Sequence, residues 1–534
     1  MVSRHEMTTD ASCSDAPTAL AALDADQLRL VVLDLLATLD DKSRILVERT
    51  LEHHAAHKGA GWSPTPVSEG EVANILASLK AAMRSGHGNP VEIDRYLRLG
   101  TSAFLGKDYR TAQQIFGAVL RPIADAEIDL GQDELVDEVL TSDVNLCAAQ
   151  YLVSTYMVTA PEQRAQAVLA AIGEVNSVAY FWEPLRQLEG TAIEPLPAFD
   201  TFLPQWRSLV AQRALSERSS EWDRHEDRWL REVVLRLAGP AGLADIGRST
   251  RRADDLRAWC RSLFDAKEWA GARLAYEEAA ALVAEVHAKA DFLDGAALAA
   301  QQSASTDLIE CFEGAWRAKP TLLRLRRWLG MAGRQAEVVQ LATAALAAAP
   351  QPAHGQCAFL HLLLGDFESA ATLLATAPGL GWSDDAHPGH LLFQLFEALI
   401  APSRAAGGQA GVRTAAQRAL ELDDLVIGPA GPEGPKVIAP AVGELLERAG
   451  IVRIADSATL AMVLAAMRQA AERRLAGVTA QKRRRHYGHA AELVATCLAC
   501  DRSPEAMGWI AAIQQDYRRF PALRAELDAA MTVR

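Results

Sequence analysis

The sequence has few aromatic residues, few cysteines and no long apolar run. Phenylalanine, tryptophan and tyrosine together make up 6% of the 534 residues, and β-branched residues are scarce in the alanine- and leucine-rich stretches. This composition argues against a sheet and favours an all-α protein. The seven cysteines show no framework spacing, which is typical of reduced thiols in a cytoplasm. No segment approaches the ~20 apolar residues of a membrane span, so we expect a cytoplasmic protein without a membrane partner.

The recognisable patterns of catalysis and cofactor binding are also missing. Five residues separate Gly100 from Gly106, whereas a phosphate-binding loop has four, and Asp108 stands where that loop carries a hydroxyl. No Gly-x-Ser-x-Gly nucleophile motif is present, and no dinucleotide-binding glycine pattern follows a strand. The sequence therefore predicts neither an enzyme nor a cofactor site.

Histidine and cysteine residues suggest metal ligands in three places, but none has the features of a metal site. His53 and His57 lie one helical turn apart without the glutamate of a zinc hydrolase motif, and a solvated helix end accounts for them.

The other two places lie in the second half of the chain. If 486–500 is one helix, His489 and Cys497 lie about 12 Å apart at ~1.5 Å per residue, too far for two ligands of one zinc ion. The third place is the loop 383–390, which we expect to cap the helix that follows it. Its candidate ligands are Asp384, Asp385, His387 and His390. We predict no metal site.

The charge of the chain is unevenly distributed. The formal net charge is −14, which disfavours nonspecific binding to nucleic acid or anionic lipid. Between Arg473 and Arg524, however, ten lysines and arginines face four acidic residues. The candidate partner-binding residues are the basic residues Lys482, Arg483, Arg484, Arg485, Arg518 and Arg519. They could neutralise nucleic-acid phosphates, but we favour a protein contact or a solvated face.

A helix, a tight turn and a second helix form a pattern that recurs along the chain. In 99–120, a Gly-Lys-Asp turn is followed by an apolar stripe at spacings of three, four and three residues. Small alanines at the crossing would let the paired helices approach closely, and aromatic residues would fill the space beside it. The predicted packing residues are Tyr109, Ala112, Phe116, Trp269, Ala272, Tyr276, Phe367, Ala370, Tyr487 and Ala490.

These four stretches resemble the tetratricopeptide repeat, which combines Leu-Gly, a Gly/Asp-aromatic turn, an alanine and a large apolar residue. The aromatic residues that open the second helices are 160, 98 and 120 residues apart, not multiples of the family's period of about 34. Most intervening helices would therefore have lost the signature or be inserted elements of another type. The resemblance implies a TPR-like α-solenoid of antiparallel helix pairs, because such pairs bury their apolar stripes by stacking.

The final block is similar to the helical tail of bacterial proteins that carry a SWIM-type zinc finger. The matching residues are Tyr487, Ala490, Trp509, Tyr517, Arg518, Arg519 and Leu523. The finger itself requires a Cys-x-Cys pair, which this sequence lacks. The zinc-dependent nucleic-acid contact that this family implies is therefore not carried over to this chain.

Proline, glycine and polar clusters predict five segments. These are a disordered N-terminus (1–19), a helical hairpin (20–58), a TPR-like solenoid (66–426), a Pro/Gly-rich loop (427–443) and a C-terminal helical block with the basic patch (444–534).

The combined sequence features favour a non-catalytic scaffold or adaptor. A solenoid groove would bind a peptide or a helix of a partner protein. The acidic majority of the chain favours a basic or amphipathic segment as that partner. Two alternatives remain open. One is a nucleic-acid-associated regulator that uses the basic C-terminal patch, and the other is a helical regulatory subunit of a separate enzyme.

Overall fold

The computed structural model describes residues 22–57, 62–133, 135–216, 223–349, 353–384, 386–400 and 437–533. The predicted disordered N-terminus and most of the predicted Pro/Gly-rich loop lie outside these residues. The described residues are mostly helical and include one isolated parallel bridge, between His87 and Asp129, but no β-strand. The all-α prediction is confirmed.

The chain divides into two compact units, Met1–Gly242 and Leu243–Arg534. The helices described in the first unit are α1 Ala25–Thr38, α2 Asp41–His57, α3 Glu69–Ser85, α4 Pro90–Leu105, α5 Tyr109–Ala124, α6 Val144–Val158, α7 Arg164–Val175, α8 Pro184–Thr191 and α9 Phe199–Ser216. Helix α10, His225–Thr250, begins in this unit and contains a non-helical residue, Gly239, at φ 61°.

The helices described in the second unit are α11 Ala253–Asp265, α12 Trp269–Leu282, α13 Val286–Gln302, α14 Leu308–Ala318, α15 Leu322–Leu329, α16 Gln335–Ala348, α17 His354–Leu363, α18 Phe367–Thr376, α19 Pro388–Ile400, α20 Val442–Arg448, α21 Ser457–Ala480, α22 Tyr487–Cys500, α23 Pro504–Asp516 and α24 Pro521–Val533. Among the helices described in either unit, none combines the length and the hydropathy that a membrane span requires.

Local sequence signals explain where many helices begin and end. Ser68 precedes α3 and forms a capping box with Glu71, so that each side chain accepts a backbone N–H of the other residue. Gly86 ends the same helix in the left-handed conformation that glycine tolerates best. Asn89 then caps α4 by accepting the N–H of Val91.

Each unit has its own apolar core. In the first unit, Tyr156, Phe202 and Trp206 are each 1% exposed or less, and the ring of Phe202 contacts both of the other rings at centroid distances of 5.1 and 5.7 Å. In the second unit, Trp316 and Trp328 are fully buried with centroids 5.2 Å apart. The few aromatic residues are therefore concentrated where large side chains fill the most space.

Glycine as well as alanine allows paired helices to approach each other. A Cβ atom on Gly100 of α4 would lie 2.8 Å from the Phe116 ring of α5. A Cβ atom on Gly295 of α13 would lie 2.4 Å from the Tyr276 ring of α12. In both pairs, an aromatic residue of the predicted stripe rests against the bare backbone of the neighbouring helix.

A cluster of buried charges links α13 to α15 in the second unit. Asp294, which is 1% exposed, accepts a hydrogen bond from Arg324 Nε at 2.7 Å and lies 3.4 Å from Nη1 of Arg327. Arg324 also pairs at 2.9 Å with Asp291, whose side chain is 52% exposed. We call Asp291, Asp294, Arg324 and Arg327 the Asp294 cluster. Its two buried arginines are balanced by carboxylates of the same chain.

Candidate partner-binding surface

The four predicted aromatic residues Tyr109, Trp269, Phe367 and Tyr487 are the first residues of α5, α12, α18 and α22. Among the ten predicted packing residues, three are partly exposed and pack against a core, namely Trp269, Tyr276 and Phe367. The other seven are buried. These residues lie at helix contacts, within their own units.

The turns before these four helices share one backbone motif. In each, a left-handed residue donates its N–H to the carbonyl three residues earlier, and the next residue donates to the carbonyl five residues earlier. This is the Schellman motif, in which glycine usually takes the left-handed position. Here the left-handed residues are Lys107, Lys267, Gly365 and Lys482. The same motif occurs at the left-handed residues Ala126, Ala304 and Gly450, so it is a general helix ending in this chain and does not distinguish the four stretches.

The fourth turn differs from the other three by an insertion. In the first three turns the aromatic residue follows two positions after the left-handed residue, whereas Tyr487 follows Lys482 by five. The additional residues form a 3₁₀ turn, Arg484–His486. The basic run of the sequence is thus a lengthened helix-pair turn, and all four of its cations, Lys482 to Arg485, are exposed.

Arg518 and Arg519 lie near this basic turn although they are more than thirty positions away in sequence. They are exposed and follow Tyr517, at the end of α23. A Cβ atom on Gly488, the second residue of α22, would lie 3.3 Å from a carboxylate oxygen of Glu526 in α24, the helix that begins two residues after Arg519. The structure therefore brings the six predicted basic residues to one end of α22. We call Lys482, Arg483, Arg484, Arg485, Arg518 and Arg519 the basic patch.

An apolar groove lies toward the opposite end of α22. It has a volume of about 240 Å³ and is formed by α22, α24 and the start of α23. Its lining residues are Ala495, Leu498, Ala499, Arg502, Met507 and Met531. Met507 is 54% exposed, and unbranched methionine side chains adapt readily to different apolar partners. The groove therefore presents apolar side chains at this end of α22.

Ion pairs fix the loop that borders the groove. Arg468 of α21 pairs with Asp501 and, at 3.2 Å, with Glu505. Asp501 also accepts the N–H of Ser503, whose hydroxyl caps α23 by accepting the N–H of Ala506. The start of α23, and with it Met507, is held in place by these contacts.

The groove was missed by the sequence analysis. Leu498, Met507 and Met531 come from three helices whose packing the spacing of apolar residues does not predict. The only local signal is an exposed methionine near the start of a helix, and a single exposed apolar side chain is common on protein surfaces.

The candidate zinc ligands His489 and Cys497 remain separated. His489 and Cys497 both lie on α22, eight positions apart, and burial raises the pKa of the Cys497 thiol. Within the residues that the structure describes, no group of three or more His, Cys, Asp or Glu side chains is placed to hold a metal ion. Asp385, one of the candidate ligands, lies outside the described residues.

A scan of the sequence against protein-family models finds no match, and a search of the curated proteins finds none either. The tetratricopeptide and SWIM-tail resemblances therefore remain predictions that rest on their motifs.

Proposed function

We propose that this protein is a non-catalytic, TPR-like scaffold that binds an amphipathic helix of a partner protein across the surface of its C-terminal block, between the apolar groove and the basic patch. The observation that carries the proposal is the position of the apolar groove and the basic patch at the two ends of one helix. The apolar face of the partner helix would enter the groove beside Met507, and its acidic residues would lie over Arg484 and Arg485.

The dimensions of α22 set the length of the partner segment. A helix of 14 residues spans about 21 Å at ~1.5 Å per residue. A partner helix of roughly three to four turns would therefore reach from the groove to the basic patch. An interface of this size falls below the ~1,200 Å² of a standard complex, so we expect a transient contact with a Kd of about micromolar strength.

The TPR-like part of the proposal is supported by the aromatic and small residues at the helix contacts. Phe116 of α5 rests against Gly100 of the preceding helix, and Tyr276 of α12 rests against Gly295 of the following helix. Helix pairs of this kind bury their apolar stripes by stacking on neighbouring pairs, which leaves grooves for extended or helical segments.

Binding to nucleic acid through the basic patch is the second candidate function. The observation in its favour is the presence of six exposed cations next to Tyr517, since nucleic acids are bound by cations with neighbouring aromatic side chains. The apolar groove has no part in this alternative. A variant in the groove therefore separates the two functions.

The experiment is a selection of displayed 16-residue peptides on the full-length chain, followed by fluorescence anisotropy on the peptides recovered. We expect acidic amphipathic peptides that lose affinity at least tenfold with Met507→Glu. They should lose affinity several-fold with Arg484→Glu combined with Arg485→Glu. Met83→Glu, at another exposed methionine, is the matched control and should bind as the unchanged chain does.

Peptides that bind equally well to Met507→Glu would contradict the proposal, as would a selection that returns no peptide. A 12-nucleotide RNA is measured in parallel. Tight RNA binding that weakens steeply with salt and disappears with the double arginine variant, while Met507→Glu has no effect, would favour the second function.

A further inference from the structure

Among the described residues of the second unit, a group of buried nitrogen donors lacks hydrogen-bond partners. Arg474 of α21 is 5% exposed, and its Nε atom has no hydrogen-bond partner. Trp382, which follows α18, is also 5% exposed with an unpartnered Nε1. His489 of α22 has a buried, unpartnered Nδ1, and its ring lies 5.3 Å from the Trp382 ring. We call Trp382, Arg474 and His489 the Arg474 cluster.

Close backbone packing holds this cluster in place. The turn after α18 lies so near α21 that a Cβ atom on Gly379 would stand 2.0 Å from the carbonyl oxygen of Arg473. The carbonyl of the same glycine accepts a hydrogen bond from Nη1 of Arg474 at 3.2 Å. The guanidinium is therefore anchored at one nitrogen, while its Nε remains without a partner.

A neighbouring histidine, His387, packs against the cluster. His387 stacks near Trp382 with ring centroids 4.8 Å apart. Its Nε2 donates to the carbonyl of Pro378 at 2.8 Å, and its Nδ1 accepts the N–H of Gly389 at 3.1 Å. Both nitrogens are occupied in the neutral form, so His387 positions Trp382 and leaves the donor role to the Arg474 cluster.

The charges around the cluster are predominantly positive. Burial, together with the charges of Arg474, His390, His486 and His387, lowers the pKa of His489 to about 4. Burial and the charge of Arg483 lower the pKa of Arg474. The acidic residue Asp384 acts on His387 and accepts the N–H of Ala386.

A buried guanidinium is costly unless an anion compensates for its charge, and an unpaired buried N–H adds to that cost. We propose that the Arg474 cluster is a binding site for the phosphate group of a small molecule. Arg474 would supply the charge, and the N–H groups of Trp382 and His489 would donate to separate oxygens. Donors from three segments suit a tetrahedral oxyanion, and the nearby cations Arg483 and Arg485 would attract it.

The test measures phosphate binding by isothermal titration calorimetry on the full-length chain in phosphate- and sulfate-free buffer. The probes are inorganic phosphate and AMP. We expect saturable binding of at least one probe at millimolar concentration or below, weakened at least tenfold by Arg474→Gln. Tighter binding of AMP would indicate a phosphate ester as the ligand, and equal or tighter binding of phosphate would indicate the free ion.

A second variant covers the case in which Arg474→Gln does not fold. Arg483→Ala changes an exposed residue and should weaken binding several-fold at low salt, whereas the control Arg110→Ala, at an exposed arginine of the first unit, should leave it unchanged. In the unchanged chain, nuclear magnetic resonance of the imidazole C–H groups should show that phosphate raises the pKa of His489. Absence of saturable binding up to 10 mM, or equal weakening by Arg483→Ala and Arg110→Ala, would overturn the proposal.

Discussion

The Asp294 cluster and the Arg474 cluster bury the same kind of side chain in different surroundings. Arg324 is 7% exposed and Arg474 is 5% exposed, so both guanidinium groups have left most of the solvent. Arg324 faces Asp294 and Asp291, whereas Arg474 faces a carbonyl group and histidines. The charge of Arg324 is neutralised by carboxylates of the same chain. We propose that the charge of Arg474 is neutralised by a bound ligand. Burial alone does not distinguish the two.

Asp294→Asn should produce the largest change in stability. The substitution keeps the shape of the side chain but leaves two buried arginines without their shared carboxylate, which costs about 3 to 5 kcal/mol. The free energy of unfolding, measured by denaturant titration, should fall by that amount. Asp291→Asn is the matched control, because its half-exposed pair with Arg324 is worth about 1 kcal/mol or less. Equal losses for the two variants would contradict the structural role of the Asp294 cluster.

Glu232 in the first unit extends the comparison to a buried carboxylate. It accepts the N–H groups of Leu185 and Arg186 at 3.2 and 2.8 Å, at the start of α8, and burial raises its pKa to about 7. The folded state binds the proton of Glu232 more tightly than the unfolded state does. Protonation of Glu232 therefore contributes to stability, and this contribution is fully present below about pH 4.5. It is lost as the pH rises to about 7, and amounts to roughly 3 kcal/mol.

Glu232→Gln should remove this pH dependence. Denaturant titrations at pH 5 and pH 8 should give the unchanged chain a steeper loss of stability with pH than the variant. Parallel pH profiles for the two chains would show that Glu232 does not titrate in this range.

Arg474→Met should have the smallest effect on stability. In phosphate-free buffer the variant loses one hydrogen bond to Gly379 but also removes a buried charge that has no carboxylate, so the free energy of unfolding should change by about 1 kcal/mol or less. Arg324→Met is the comparison variant. It should lower the free energy of unfolding by about 3 to 5 kcal/mol, because it leaves the buried carboxylate of Asp294 without the guanidinium group of Arg324. A large loss for Arg474→Met would mean that the chain itself compensates for this arginine.

Local patterns of the sequence explain part of these results. The aromatic residues Tyr109 and Tyr487 could be placed at helix contacts because spacings of three and four residues define one helix face. The exposure of the basic run could also be predicted, since four consecutive cations have no apolar face to bury. The all-α class followed from composition. In each case the relevant physical interactions join residues that are close in sequence.

The Arg474 cluster could not be predicted in the same way. Trp382 lies 92 residues before Arg474, and His489 lies 15 residues after it. Their proximity depends on how the turn after α18 rests on α21, which no spacing records. The sequence predicts that the loop 383–390 caps the helix that follows it, and His387 accepts the N–H of Gly389 at the start of α19. The contact of His387 with the carbonyl of Pro378 has no signal in the sequence.

The contact between the turn after α18 and helix α21 also constrains how this protein can change over evolutionary time. A side chain on Gly379 would meet the backbone of Arg473, and a side chain on Gly477 would lie 3.0 Å from the carbonyl carbon of Gly379. Neither glycine can be replaced without the two segments moving apart. In any lineage that keeps this contact, Gly379 and Gly477 should therefore both stay glycine. In a lineage that replaces one of these glycines, the other should soon be replaced as well.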